Sequence, residues 1–235
     1  MTGSLADRVA VVTGGAGALG QAVTTRLLAG GATVCVPLEF PKDGDRLRRA
    51  VPDADRGRLA LDTVDVTDLE AMTRLAASVV GGHGRIDVLV TIAGGFAGGA
   101  LVETDRATWD RMLAVNLTSV FVATRAVVPH MVKAGRGRVV TIASRAAVSP
   151  VGGFIAYTTA KSGVIAFTQA LAQELRPHGI TVNSILPSTM DTPANRAAMP
   201  DSDRAGWVPV GAVADAIAFL VRDESTHLTG ALLTI

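Results

Sequence analysis

Tyr157 is the only tyrosine in this 235-residue chain, and it stands four positions before Lys161. On a helix that spacing puts both side chains on one face, a turn apart. A phenol has a reference pKa of about 10, too high for an efficient base near neutrality, and a neighbouring ammonium favours phenolate. The pair is therefore a candidate for moving a proton. Ser144 lies 13 residues before Tyr157, and Asn116 lies further upstream. Taken singly, each has an ordinary structural explanation. Tyr157 could be an amphipathic core residue, Lys161 a solvated lysine, Ser144 a backbone cap and Asn116 a kink in a helix. A lone Tyr-x-x-x-Lys pattern occurs by chance on many helices, so its order among other motifs has to carry the assignment.

A second pattern is Gly15-x-Gly17-x-x-Gly20, between a predicted strand, Val9 to Thr13, and a predicted helix, Leu19 to Leu28. In that setting it reads as a dinucleotide-binding turn. One glycine permits the tight turn, the next lets backbone approach a pyrophosphate, and the last allows close helix–strand packing. N–H groups at the helix start then face the phosphates. A bare glycine turn is the plain alternative. Ala18 interrupts the cluster, and the turn is expected to place its positive φ at Gly17. Glu39 follows Gly20 by 19 residues and could accept from an adenosine ribose hydroxyl, or be a solvated loop carboxylate. No arginine lies between Gly14 and Arg26 or between Val34 and Pro41, which favours NAD mildly over NADP.

These groups must be held by elements the rest of the chain supplies. Predicted strands are Val9 to Thr13, Ala32 to Val36, Leu59 to Val64, Ile86 to Ile92, Arg138 to Ile142, Ile180 to Leu186 and Leu228 to Ile235. Between them helical periodicity runs through Leu19 to Leu28, a short stretch around Arg46 to Ala50, Leu69 to Val80, Asp105 to Met131 with an interruption near Asn116, Ala156 to Leu175, and Gly211 to Val221. Asp68 or Thr67 is positioned to cap the third of these helices. Continuously apolar strands alternating with helices predict a single α/β domain over residues 1–235, with a Rossmann-type, doubly wound, mostly parallel sheet. The chain is too short, with too few repeats, for a closed barrel.

Composition agrees. Hydrophobic residues make up 49% and charged residues 18%, with aromatic residues only 4%, so Ala, Val, Leu and Ile must fill the core. A net charge of +1 offers no electrostatic footprint for nucleic acid or an anionic membrane. The single Cys35 lies in an apolar run and reads as a buried hydrophobe. His83, His130, His178 and His227 are far apart and lack ligand spacing, so no metal is expected. Without an uninterrupted apolar run of about 18 residues or a signal-like start, a soluble cytoplasmic protein is expected.

With these motifs in order, the sequence resembles the short-chain dehydrogenase/reductase family along nearly its whole length. Thr13-Gly14 to Gly20 is similar to the family's cofactor turn, and Asp65-Val66 to its adenine-contacting pair. Thr91-Ile92-Ala93-Gly94 looks like a variant of its Asn-Asn-Ala-Gly segment, and Asn116, Ser144, Tyr157 and Lys161 fall on its catalytic tetrad. Pro187 and Thr192 resemble the ends of its Pro-Gly-x-x-x-Thr segment. The resemblance implies hydride transfer between a nicotinamide and a carbonyl or secondary alcohol. Tyr157 would then be the proton carrier, with Ser144 on the substrate oxygen. Lys161 would hold the ribose hydroxyls and lower the phenol's pKa, and Asn116 would hold a water beside it. Cofactor contacts are implied at Gly14, Gly15, Gly17, Ala18, Leu19 and Gly20, and at Glu39, Asp65, Val66, Ala93 and Gly94. Further contacts are implied at Pro187, Thr189, Met190 and Thr192, beside Tyr157 and Lys161.

Phe96, Arg145, Ala146, Phe154, Met190 and Trp207 are candidates for the substrate pocket over the carboxyl ends of the strands. Arg145 could meet an anionic substrate group, solvent or a partner subunit, and Thr189 to Trp207 could cover the cofactor. The resemblance also implies a homodimer or homotetramer with the Tyr157 helix across an interface, where Ala156, Ala160, Ser162 and Gly163 would permit close packing. There are four departures from the family pattern: Ala18 for a glycine, Thr91-Ile92 for two asparagines, Ser188 for a glycine, and Leu38 for an aspartate. Ala18, Ser188 and the missing asparagines motivate the alternatives of a nucleotide-binding sensor or structural subunit without turnover. An epimerase or dehydratase is a third class, because related folds host such reactions.

Overall fold

The strand β1 (Val9–Thr13) is buried at all five positions, and its side chains divide between two cores. Ala10 and Val12 face one cluster, Val9 and Val11 the other. A strand covered on both faces has no polar side to display, so an unbroken apolar run is the sequence it requires. β2 (Thr33–Leu38) and β4 (Val88–Thr91) are likewise largely apolar, whereas β5 (Gly137–Ile142) and β6 (Ile180–Leu186), also buried, carry Arg138, Thr141, Thr181, Asn183 and Ser184 inside the sheet. With β3 (Leu59–Thr63) and β9 (Leu232–Thr234), they form a seven-stranded parallel sheet in the order β3-β2-β1-β4-β5-β6-β9. The computed structural model describes residues 5–235, so the first four residues of the expected domain lie outside the described ones.

Helices cover both faces. On one face α1 (Ala18–Ala29) and α8 (Val210–Leu220) pack together, with Val23, Leu27, Val213 and Ile217 buried against Val34, Val36 and Val90. On the other, α3 (Leu69–His83) and α5 (Ser119–Ala134) bury Met72, Leu75, Val122 and Val127 against Val11, Leu89 and Val139. The α6 helix (Ile155–Leu175) lies beside α5 and contributes Ala172 and Leu175 to that second core. The helical run 106–134 is long and apolar enough to cross a membrane by length and composition. Its Val122, Ala123, Val127 and Met131 are instead committed to the sheet, which accounts for that character.

Several boundaries differ from the sequence-based expectation. The short helix near Arg46 is α2 (Pro41–Ala50), a turn or more longer, because Pro41 at its first position preorganises φ and has no N–H to waste. Asp68, not Thr67, caps α3 by accepting from Ala71 N–H. The last strand is only three residues, its first half being drawn into the loop that Asn183 holds through Leu228 and Ala231. The segment after Pro187 contains β7 (Met190–Asp191), α7 (Pro193–Ala198) and β8 (Val208–Pro209), and β7 pairs with β8 in parallel.

The interruption near Asn116 is real. It is a π-helical turn, Ala114–Thr118, between α4 (Arg106–Leu113) and α5. A residue inserted into the helical ladder in this way commonly marks a functional position.

Candidate active site

The glycine turn sits between β1 and α1, and steric limits explain it. Gly14 is the position with positive φ, at 67°, whereas Gly17 is extended at −73°. The expectation that Gly17 would carry the left-handed conformation is therefore corrected. Ala18 is already the first residue of α1, a right-handed position where a methyl costs nothing, so the alanine needs no compensation. Gly20 is the strict one: a Cβ there would stand 2.0 Å from the Gly14 carbonyl oxygen. Gln21, which sequence reasoning passed over, braces the turn by donating to the Ala16 carbonyl at 2.8 Å.

The start of α1 has no side-chain cap and no acidic residue in its first turn. The N–H groups of Ala18, Leu19 and Gly20 precede the first intrahelical partner and are free to meet an anion. Exposed Gly17 and Ala18 leave that end open. The residues present thus fit a dinucleotide pyrophosphate.

Around the turn the other cofactor candidates differ in how well they are presented. Leu38 is buried and packs beside Gly44 of α2, so it offers no ribose contact, while the Glu39 carboxylate is exposed at the end of β2. Asp65 is exposed, and its Oδ1 already accepts from Thr67 N–H and Oγ1 at 2.8 and 2.7 Å. Val66, which follows it, is half-buried. Ala93 N–H reaches Thr13 Oγ1 at 3.4 Å, joining the ends of β1 and β4. Pro187 is buried and its carbonyl accepts from Arg145 N–H, while Ser188 N–H donates to the Ile235 carbonyl. Thr192 caps α7 through Asn195 N–H, and Asn195 Nδ2 holds the Met190 carbonyl at 2.8 Å. Thr189 accepts from Val208 N–H through its carbonyl. These links anchor both ends of the segment expected to cover the cofactor.

The four catalytic candidates meet over the carboxyl ends of β4 and β5. Asn116, fully buried in the π-helical turn, donates to Gly95 O at 3.0 Å and accepts from Gly95 N–H at 3.2 Å. A Cβ on Gly94 would lie 2.8 Å from Asn116 Oδ1 and 3.6 Å from Lys161 Nζ, so this glycine is what lets the two polar groups share one corner. Lys161 is 5% exposed and donates to the Ile142 carbonyl at 2.8 Å. That acceptor left no trace in the sequence, because every residue carries a carbonyl. Ser144 stands just past β5 in extended conformation and accepts from Ala146 N–H at 3.2 Å.

The electrostatics revise one expectation. Burial raises the Tyr157 phenol above its ordinary value, and a hydrogen bond with the Ser144 hydroxyl partly opposes this. The Lys161 ammonium lies 6.0 Å from the centre of the phenol ring and is committed to Ile142, so in this geometry it does not depress the phenol. Burial without a carboxylate partner instead lowers Lys161 itself to about 8. At neutral pH the corner holds a neutral phenol beside a cation that is close to losing its proton.

The pocket candidates are only partly brought together. Phe96 packs edge-on against both Phe154 and Tyr157, with ring centroids 5.1 and 5.2 Å apart. Gly99 N–H donates to Gly153 O at 2.8 Å, tying the loop after β4 to the loop before α6. Ala146 lies beside Ser144, and Arg145 is exposed. Met190 is half-buried in β7. Trp207 is partnered by Arg204, whose guanidinium lies 5.7 Å from its ring. No group of three or more metal-binding side chains occurs among the described residues.

A parallel sheet with a phosphate-ready turn, and a phenol, hydroxyl and ammonium at its carboxyl edge, defines a dinucleotide-dependent oxidoreductase. Comparison with known proteins gives the family. Residues 8–203 match the model for short chain dehydrogenase. The chain is 35% identical over 97% of its length to a (2S)-[(R)-hydroxy(phenyl)methyl]succinyl-CoA dehydrogenase subunit from Thauera aromatica, covering 95% of that protein. It is 36% identical over 97% of its length to acetoacetyl-CoA reductase from Allochromatium vinosum, covering 96% of it. The crystal structure of NAD+-bound xylitol dehydrogenase superposes with a TM-score of 0.90 at 26% identity, with 98% of both chains covered. The chain belongs to the short-chain dehydrogenase/reductase family and is an NAD(P)-dependent oxidoreductase acting on a carbonyl or alcohol.

Proposed function

We propose that Tyr157 carries the proton in this reaction, and the observation that bears the reading is the shared corner of Asn116, Lys161, Ser144 and Tyr157 over the ends of β4 and β5. Bound NAD(P) supplies or accepts hydride at the substrate carbon. In reduction the Tyr157 hydroxyl gives its proton to the substrate oxygen, and Ser144 donates a second hydrogen bond that polarises the carbonyl. Lys161, released from Ile142 or shared with it, holds ribose hydroxyls and brings positive charge toward the phenol. Asn116 keeps Gly95 in place and orders water beside Lys161 for proton return. The residues of the glycine turn, with Ala93, Gly94, Pro187 and the 189–192 segment, hold the cofactor. Residues 1–235 act as one catalytic unit.

NAD is the cofactor we put first. An exposed Glu39 carboxylate at the end of β2 suits a free ribose hydroxyl and repels an added phosphate. Lys42, over the Phe40 ring at 5.3 Å, is the cation that would argue for NADP. Among substrates we favour 3-hydroxyacyl and 3-oxoacyl thioesters, on the activities that the names of the two relatives give them and the apolar wall of Phe96 and Phe154. The active form is a homodimer or homotetramer in the cytoplasm; half-exposed Phe121 on α5 supports an interface there.

The deciding measurement is nicotinamide absorbance with acetoacetyl-CoA and NADH, against NADPH and against sugar and polyol substrates. Turnover of the thioester, faster with NADH, is expected. Binding of either dinucleotide without turnover across that panel would instead support the sensor reading. Light scattering of the purified protein tests the assembly, and cell fractionation the location.

A further inference from the structure

At the amino edge of the sheet, roughly 20 Å along β5 from Ser144, lies a polar concavity that the oxidoreductase chemistry does not use. It has a volume of about 170 Å3 and is lined by Arg176, Gly179, Thr181, Thr226, His227 and Thr229 among others. Thr181 is 4% exposed, and its hydroxyl has no hydrogen-bond partner. Leaving a buried hydroxyl unpaired costs about 1–3 kcal/mol, so the position calls for a partner outside the protein.

Strand register gives the direction of that hydroxyl. Thr181 is paired with Arg138 in the parallel β5–β6 ladder, so both side chains point to one face. Arg138 reaches Thr226 Oγ1 at 3.2 Å on that face. Asn183, two residues along β6, there donates to Leu228 O and accepts from Ala231 N–H. Thr181 therefore lies on the face covered by the 226–229 segment and lines the concavity, its hydroxyl just beneath that surface.

The other hydroxyls are oriented by what they already accept. Thr226 Oγ1 accepts from Arg138, and Thr229 Oγ1 accepts from Val182 N–H at 3.1 Å. Neither donates to another group among the described residues, so both protons are available. Arg176 makes no ion pair among the described residues, and no carboxylate lines the space. Asp223, three residues before Thr226, is held by Arg8 at 2.6 Å and by Arg138 at 3.5 Å. Three hydroxyls, a guanidinium and an imidazole thus line one concavity with no carboxylate among them. The volume is below the about 300–1,000 Å3 of pockets for drug-sized ligands.

We propose that this concavity binds a small oxyanion, a phosphate group foremost, at a site separate from the dinucleotide turn. Thermal unfolding of the full chain, titrated with inorganic phosphate against chloride at constant ionic strength, tests it. Saturating NADH is kept present so that the glycine turn is filled. Phosphate at about a hundredfold excess over its Kd should raise the Tm by roughly 5 °C or more. Arg176→Gln should remove that rise. Thr181→Val, which keeps the β-branched shape, should leave the Tm in chloride equal or higher and also remove the rise. No saturable rise beyond chloride, or a rise that persists in both variants, overturns the proposal. A rise seen only without NADH does so too, because it locates the anion at the glycine turn. Glycerol 2-phosphate in a parallel arm separates the sources. Stabilisation equal to that by phosphate identifies the phosphate of an organic ligand, and stabilisation by phosphate alone identifies the free anion.

Discussion

The two edges of the sheet bury charge in opposite ways. At the amino edge, Asp87 is 1% exposed but surrounded: Arg8, Arg85 and Arg136 all reach it, and Val9 N–H donates to it at 2.9 Å. At the carboxyl edge, Lys161 is buried with no carboxylate at all, only the Ile142 carbonyl. A buried charge with ionic partners holds strands together. One without such partners has its pKa moved into the working range. The amino edge is therefore built for stability, and the carboxyl edge holds a lysine that burial has brought closer to losing its proton.

The sharpest way to break this contrast is to remove a group from each edge. Tyr157→Phe should lower kcat by about 10²- to 10⁴-fold while nicotinamide fluorescence still reports unchanged cofactor affinity. Equal turnover in the variant would remove Tyr157 from the mechanism. Asp87→Ala should do the reverse. Its cost is about 2–4 kcal/mol of stability in denaturant unfolding, somewhat under that of a wholly buried pair because its arginines are partly solvated. Its kcat at a permissive temperature should match the parent, and a matching loss of kcat would show that the two edges are coupled.

Lys161 offers a graded test. With a folded pKa of about 8, the cation is lost as pH rises through that value, well before the phenol titrates. Carbonyl reduction should fall about tenfold per pH unit above it, read as kcat/KM against pH. Stability should move the other way. The folded pKa lies below that of the unfolded chain, so the unfolded state binds more protons between the two values and stability rises with pH across that window. Lys161→Met should abolish that rise. The smallest effect is expected at Phe96, which is largely exposed but stacks on Tyr157. Phe96→Ala should raise KM by roughly fivefold, the worth of one edge-to-face contact, with little change in kcat.

How much of the site could be read beforehand depends on what kind of contact is involved. Tyr157, Lys161, Ser144 and Asn116 were visible because helix geometry and strand ends convert sequence spacing into position. The ends of α2 and β9 were less visible, since Pro41 starts a helix on propensity while the 228–231 loop is held by Asn183 from a distant strand. The roles of Gly14 and Gly17 were exchanged. Composition shows that a turn needs glycine, but which residue takes positive φ depends on how the loop meets Ala93.

The sequence by itself determined the layered fold, the phosphate-ready turn and the tyrosine we propose as proton carrier. Each follows from periodicity or from local spacing, and both act within a few residues. Only the tertiary structure decided the charge states. The depth of burial of Lys161 and its commitment to the Ile142 carbonyl come from strands and helices far apart in the chain. So does the gathering of Arg176, Thr181 and Thr226 at the opposite edge. Desolvation depends on everything that surrounds a group, and no local stretch of sequence contains that information.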